Sequence, residues 1–358
     1  MKRVLIIEAQ LKHYRRRFLV ELAATLRTRD IELVVAYSEP SAAERAKADT
    51  IDLPGIAVKV PAFMLGERIV VQRAWTLART AELVIVGQAN GQLLNYALLA
   101  RSRLGLQRVA YWGHGFNHQA VRRGWSERLK RGLVGAVDWW FAYTPSVTRY
   151  LVNHGVRAAT ITTVFNTIDT DELAGTHREV RAARRGLYCG ALIAAKQLEF
   201  LVDAAAAIRE RISDFELIVV GDGPERAMLD AIARYRPYVR VVGPAFERAR
   251  AAWFAAADVA LIPAQVGLAI VDAFAAGLPL VTTTAPGHGP ELDYLTSATG
   301  IQTAFDVVAY AGATAALLAN PGRLAAMSTA ARARAAELPL FQMVDQFATG
   351  IVRCLETT

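Results

Sequence analysis

Several clusters in this chain have the residue types and spacing to do chemistry. Gly221-Asp222-Gly223-Pro224-Glu225 follows the apolar run Glu216–Val220 and precedes a helical stretch. Glycines there permit a tight turn and close backbone approach to a ligand, with helix N–H groups pointing outward. A plain strand-to-helix turn explains the same residues, and Ala227 and Met228 break a dinucleotide fingerprint. A second loop, Pro263-Ala264-Gln265-Val266-Gly267-Leu268, leads from the run Val259–Ile262 into another helix. Free backbone donors and a positive dipole end at Val266–Leu268 suit a diphosphate. Asp272, one and a half turns further on, has a carboxylate for a ribose diol, or is a solvated helix charge. In Trp112-Gly113-His114-Gly115-Phe116-Asn117-His118, a histidine between two glycines on a strand-end loop favours function over packing. The glycines keep His114 and His118 off a common helix face and no third ligand is evident, so no metal site is expected. Asp169-Thr170-Asp171 has the spacing of a divalent-metal clamp, but it opens a polar stretch where Thr170 or Asp171 caps a short helix.

Two basic groups complete the inventory. Arg15-Arg16-Arg17 follows the first apolar run, at the carboxyl end of a strand. Arg122, Arg123, Trp125 and Arg128 share an amphipathic stretch with Leu129. Both are solvated helix faces or a docking surface for anionic lipid, where each cation contributes about 1 kcal/mol.

The elements that must position these residues alternate. Val4–Ile7, Glu32–Ala36, Leu83–Val86, Arg108–Trp112 and Trp139–Ala142 are expected as buried strands, with helices at Arg16–Arg29, Arg68–Thr80 and Gln92–Leu104 between them. A second series has strands at Gly186–Cys189, Glu216–Val220, Val239–Val242, Val259–Ile262 and Leu280–Thr283. Its helices are expected at Leu198–Arg211, Glu225–Tyr235, Arg248–Ala257, Gly267–Ala276 and Val307–Ala319. Two such series imply two open, mostly parallel sheets, each covered on both faces, with ligands outside the carboxyl ends of the strands. The expected divisions are a first domain over residues 1–165, a polar linker over 166–185, a second domain over 186–340, and a C-terminal helix over 341–358 that packs back on the first.

Composition agrees with two globular cores. The chain has 358 residues, 53% hydrophobic and 21% charged, which excludes disorder, collagen and coiled coil. Two cysteines provide neither a disulfide framework nor a four-cysteine metal site. The N-terminal apolar run is too short for a signal peptide, and the longest one, Val259–Val271, is broken by Pro263 and Gln265; neither spans a membrane. A cytoplasmic location is expected. The net charge of +8 divides unevenly: +12 over residues 1–165 and −4 over the rest. The basic half implies an anionic partner, but no nucleic-acid-binding module is recognisable in it.

The stretch Gly267–Thr283 resembles the signature helix of the large retaining glycosyltransferase family with the GT-B fold, two Rossmann-like domains facing across a cleft. Val164-Phe165-Asn166-Thr167-Ile168-Asp169 resembles that family's interdomain segment. Tyr188-Cys189-Gly190-Ala191-Leu192 with Lys196 resembles its donor-phosphate element, and Val219–Pro224, Val241–Gly243 and Ala257–Val259 follow in family order. The family's pattern of two glutamates separated by seven residues is degenerate: Ala264 holds the first position and Asp272 the second, while the phosphate-binding arginine is Ala191. The resemblance implies a nucleoside-diphosphate sugar as donor, with no further cofactor, and a glycan or lipid-linked acceptor, as in bacterial-type polysaccharide or lipopolysaccharide synthesis. It implies retention at the anomeric carbon. Lys196 and the Val266–Leu268 helix start would stabilise the leaving diphosphate, with Gly190, Gly221, Gly223 and Gly267 beside it. Asp272 would hold the ribose, the loop with Gly243, Ala245 and Phe246 would face the base, Gln265 would replace the missing sugar contact, and His114 would position the sugar. Arg15–Arg17 and the 122–128 group would lie on the acceptor or membrane side, making the protein peripheral on the inner face of the membrane. The rivals are a pseudo-transferase, suggested by Ala191 and Ala264, and a sugar-nucleotide epimerase of the same fold, which would need a carboxylate pair that the sequence does not offer.

Overall fold

The structure is a computed structural model, and it describes residues 1–39, 50–65, 69–88, 91–115, 133–175 and 184–357. Two compact units divide the chain. Unit 1 comprises Met1–Asn166 and Leu340–Thr358, and unit 2 comprises Thr167–Pro339.

In unit 1 the described strands are β1 (Lys2–Ile7), β2 (Ile31–Tyr37), β3 (Ala57–Lys59), β4 (Ala62–Leu65), β5 (Ile69–Gln72), β6 (Leu83–Gly87), β7 (Arg108–Gly113), β8 (Trp139–Ala142) and β9 (Ile161–Thr163). Helices α1 (Arg16–Arg27), α2 (Trp75–Arg79), α3 (Leu93–Arg103) and α4 (Pro145–Asn153) lie between them. Seven strands form one parallel sheet in the order β3-β2-β1-β6-β7-β8-β9. Alternation along β1 shows why it is continuously apolar. Val4 and Ile6 enter one buried cluster, Leu5 and Ile7 the other, so both faces of the sheet are covered. The helix expected over Arg68–Thr80 is instead strand β5 followed by the short α2. The β-branched run Ile69-Val70-Val71 pairs antiparallel with β4 rather than turning helical.

Unit 2 carries β10 (Arg185–Cys189), β11 (Glu216–Val220), β12 (Val239–Gly243), β13 (Val259–Leu261), β14 (Leu280–Thr283) and β15 (Gly300–Thr303). Its helices are α5 (Leu198–Arg209), α6 (Arg226–Tyr235), α7 (Glu247–Ala255), α8 (Ala269–Ala275), α9 (Val307–Leu318) and α10 (Pro321–Ala336). The sheet is parallel, ordered β12-β11-β10-β13-β14-β15. The segment expected as a linker is not separate: Thr167–Gly175 belongs to unit 2 and β10 already begins at Arg185. Thr167 Oγ1 donates to the Leu338 carbonyl at 2.8 Å, tying together the two places where the chain enters and leaves this unit.

The last helix, α11 (Leu340–Glu356), returns to unit 1. Phe347 stacks on Phe141 with centroids 4.2 Å apart and meets Trp112 edge-on at 5.0 Å. A Cβ at Gly350 would stand 2.6 Å from both Phe141 and Thr162, so glycine is what lets this helix approach β8 and β9.

Candidate functional site

Strand order reverses in unit 2 between β10 and β13, and the loops leaving those two strands meet there. After β10 the chain makes a 3-10 turn, Ala194–Lys196, and the Lys196 ammonium donates to the Gln265 carbonyl at 2.5 Å. Gln265 sits at φ +48°, a left-handed conformation that costs a glutamine of order 1 kcal/mol. Burial lowers the Lys196 pKa to about 8, with Glu291 opposing the shift. Lys196 is therefore a cation in a partly dry place, held against a strained carbonyl.

Asp272 on α8 is buried, not solvated. Its Oδ2 accepts from Arg250 Nη1 on α7 at 2.7 Å, while Oδ1 is buried without a hydrogen-bond partner. Burial raises its pKa to about 6, against the pull of Arg250 and with a further push from Asp169 and Glu172. The neighbouring Cys189, at the end of β10, is pushed up to about 12 by burial and by the Asp272 charge. An orphaned carboxylate oxygen is an expensive feature, about 1–3 kcal/mol when nothing donates to it. A ribose hydroxyl is a donor that fits it.

Other expected donor-binding residues take different parts. Helix α8 begins at Ala269 and has seven residues, so the helix start lies later than expected. The Val266 N–H is already taken by His288 Nδ1 at 3.1 Å, which removes it from the donors available to a diphosphate. His288 Nε2 lies 3.0 Å from the Thr283 carbonyl, so Nε2 carries the proton and the ring is neutral. Burial and the nearby Lys196 depress its pKa, in keeping with that tautomer. Gly267 and Leu268 remain half-exposed ahead of α8. A Cβ on Gly221 would stand 1.9 Å from the Gly190 carbonyl oxygen, and one on Gly223 2.4 Å from that of Leu192. Both glycines let the loop after β11 pack against the loop after β10, a scaffolding role. Gly243 turns at φ +83°, Ala245 is half-buried, and Phe246 caps α7 with 46% of its surface exposed. Ala264 is buried, where the family pattern has a glutamate.

In unit 1 the equivalent reversal lies between β1 and β6. Half-buried Glu8 follows β1, its pKa raised to about 7 by burial against the pull of Arg15. Arg15 is not on a solvated face. It is 9% exposed, lies 4.6 Å from the Trp112 ring centroid, and donates from Nη2 to Asn166 Oδ1 at 2.9 Å. Arg16 is exposed and Arg17 pairs with Glu21 on its own helix at 2.7 Å. Half-buried His114 meets the Tyr143 ring at 4.7 Å. Arg122, Arg123, Trp125 and Arg128 lie outside the described residues, as does His118. The Asp169-Thr170-Asp171 segment leads into a turn, not a helix, over the described residues 171–175, and Asp169 Oδ1 accepts from the Asp171 N–H at 3.1 Å. Among the described residues no group of three or more His, Cys, Asp or Glu is placed to hold a metal ion, and no helix is long and apolar enough to cross a membrane.

Sequence reading missed Arg250, His288, Glu8 and Trp112. His288 had a signal, because Gly287-His288-Gly289 repeats the glycine-flanked pattern of His114. Arg250 had none, since an arginine in Glu247-Arg248-Ala249-Arg250 looks like any solvated helix charge.

Two parallel sheets of matching strand order define a protein of two Rossmann-like α/β domains. Residues 183–320 match the family model Glycosyl transferases group 1, and residues 16–172 match Glycosyltransferase Family 4. The chain belongs to the GT-B glycosyltransferases. Its fold is similar to that of sucrose-phosphate synthase from Thermosynechococcus elongatus, at TM-score 0.71 and 15% identity over 98% of both chains. Anabaena HepE in complex with UDP gives 0.69 at 15% identity, covering 98% of this chain and 100% of that one. The pneumococcal O-GlcNAc transferase GtfA in complex with UDP and GlcNAc gives 0.72 at 11% identity over 99% of both. A stretch of 101 residues is 36% identical to the GDP-mannose-dependent alpha-(1-6)-phosphatidylinositol dimannoside mannosyltransferase of Mycobacterium tuberculosis. That match covers 27% of this chain and 26% of the relative's length.

Proposed function

We propose that the protein transfers a sugar from a nucleoside-diphosphate donor to a glycan or lipid-linked acceptor, with retention at the anomeric carbon. The observation that carries this reading is that unit 2 holds both a half-buried ammonium, at Lys196, and an orphaned carboxylate oxygen, at Asp272. A nucleoside diphosphate supplies both complements, phosphate oxygens for the cation and a ribose diol for the carboxylate. Lys196 exchanges the Gln265 carbonyl for a phosphate oxygen as charge grows on the leaving group, and in a partly dry site that contact is stronger than in water. Arg250 keeps Asp272 ionised and fixes which oxygen faces the diol. Phe246, exposed at the start of α7, offers a ring to the base. Peripheral docking on an anionic surface through the basic first half belongs to the same reading.

Ala191 and Ala264 favour one rival, a chain that binds nucleotide sugars without turnover. Initial-rate hydrolysis of a panel of UDP- and GDP-sugars, with and without EDTA, separates the two. Metal-independent release of the nucleoside diphosphate from one donor supports transfer. Binding with no release from any donor supports the rival, and activity abolished by EDTA overturns the role given to Lys196.

A further inference from the structure

Among the described residues of unit 1, three buried side-chain donors have no acceptor, Arg15 Nη1, Arg101 Nε and Trp112 Nε1, and two of them, Arg15 Nη1 and Trp112 Nε1, lie together. They belong to one cluster, with the guanidinium 4.6 Å from the Trp112 ring centroid. Asn166, itself buried, fixes the orientation by accepting from Nη2 at 2.9 Å, which leaves Nη1 as the unsatisfied arm of the fork. The rings of Tyr143 and Phe18 lie 6.0 Å from the same guanidinium. An arginine held among rings, with one arm unsatisfied beside an unsatisfied indole N–H, is a costly arrangement for a structural residue.

The start of α1 adds an independent sign. Arg15 is its N-cap, Arg16 and Arg17 open its first turn, and no acidic residue or side-chain cap is present there. Cations at the positive end of a helix are unfavourable unless an anion joins them.

We infer that this cluster recognises an oxyanion, a carboxylate or phosphate carried by the acceptor, through Arg15 Nη1 and Trp112 Nε1. The inference rests on the transferase reading and names the acceptor's chemical class. The ligand reaches the guanidinium past Tyr14, whose ring lies 5.4 Å from it and which, at 39% exposed, has the most solvent contact of the surrounding rings. Glu8 is the acidic group that faces Arg15, and burial keeps it largely protonated below neutrality, so it does not cancel the guanidinium there.

The test uses the full chain saturated with UDP or GDP, whichever binds, at pH 6.5. Methyl glucoside, methyl glucuronide and methyl glucoside 6-phosphate are titrated by calorimetry into wild type, Arg15→Met and Arg15→Lys. Wild type should bind one or both anionic glycosides about ten- to a hundred-fold more tightly than the neutral one. The better of the two identifies carboxylate or phosphate. Arg15→Met keeps the apolar stem and should abolish the preference, while Arg15→Lys should keep part of it. Equal binding of all three glycosides by wild type overturns the inference without reference to any variant, and so does a preference that survives in Arg15→Met. Failure of the nucleotide itself to bind is the separate failure of the transferase reading.

Discussion

In unit 1 the carboxyl edge of the sheet gathers rings around a guanidinium. In unit 2 the same edge gathers small residues, an ammonium and a carboxylate. Strand order is shared, and in both units the first strand lies at the reversal point. Among the unsatisfied buried side chains of the described residues, the carboxylate, Asp272, is in unit 2, and the guanidinium beside the indole, Arg15 and Trp112, is in unit 1. A sheet of this topology decides where a ligand sits, and the loops decide its polarity. The loops after β10 and β11 pack so closely that Gly221 and Gly223 admit no Cβ, which fixes this edge of unit 2 by backbone. Unit 1 fixes its side with aromatic side chains.

Ion pairs give the comparison its largest expected effect. Arg250 and Asp272 have side chains only 19% and 11% exposed, against 44% and 34% for Arg17 and Glu21. Arg250→Met leaves a buried carboxylate unpaired and should cost about 3 kcal/mol, lowering the Tm of unit 2 by roughly 6–12 °C at pH 8. Asp272 already has a raised pKa, and losing Arg250 raises it further. Protonation then relieves the penalty, so the loss should shrink by pH 5. A Tm loss equal at both pH values would mean that the pair contributes through packing alone.

Next in size, Lys196→Met should reduce turnover about ten- to a hundred-fold in a folded protein, the rate equivalent of one charge-assisted bond to phosphate worth about 1.5–3 kcal/mol. Wild-type rates in the variant would remove Lys196 from the site. In wild type, kcat/KM should rise through about pH 6 as Asp272 ionises and fall above about pH 8 as Lys196 loses its proton. Lys196→Met should abolish the alkaline limb and keep the acid one. The smallest effect belongs to unit 1: Arg17→Ala removes an exposed i,i+4 pair and should change stability by about 0.5 kcal/mol or less in a denaturant titration.

The parallel sheets were legible in the sequence because strands buried on both faces, such as Val4–Ile7, are unbroken apolar runs. Three of the four edge strands of the two parallel sheets were not: Ala57–Lys59, Ile161–Thr163 and Gly300–Thr303 are short and each is paired on one side, whereas the edge strand Val239–Gly243, with three valines, was. The hairpin of β4 and β5 escaped because Ile69-Val70-Val71 adjoins helix-forming residues that mask its strand preference. Asp272 was singled out because it lies early in the helix after a strand, and Lys196 and Gln265 because their segments resemble the family's motifs. The contacts they make were not legible, because Lys196 to Gln265 and Arg250 to Asp272 join residues 69 and 22 positions apart and leave no local pattern. Arg15 looked like part of a solvated run until tertiary packing placed it over Trp112.

The claim that unit 2 holds the nucleotide and unit 1 does not is tested most directly by calorimetric titration of UDP and GDP into wild type, Asp272→Asn and Arg15→Met. Asparagine keeps the shape of aspartate, removes the charge and lets Arg250 go unpaired, so affinity for the preferred nucleotide should fall about tenfold or more. Arg15→Met should bind that nucleotide as wild type does. Undiminished affinity in Asp272→Asn, or a loss in Arg15→Met as large as that in Asp272→Asn, would contradict the division of labour between the two units.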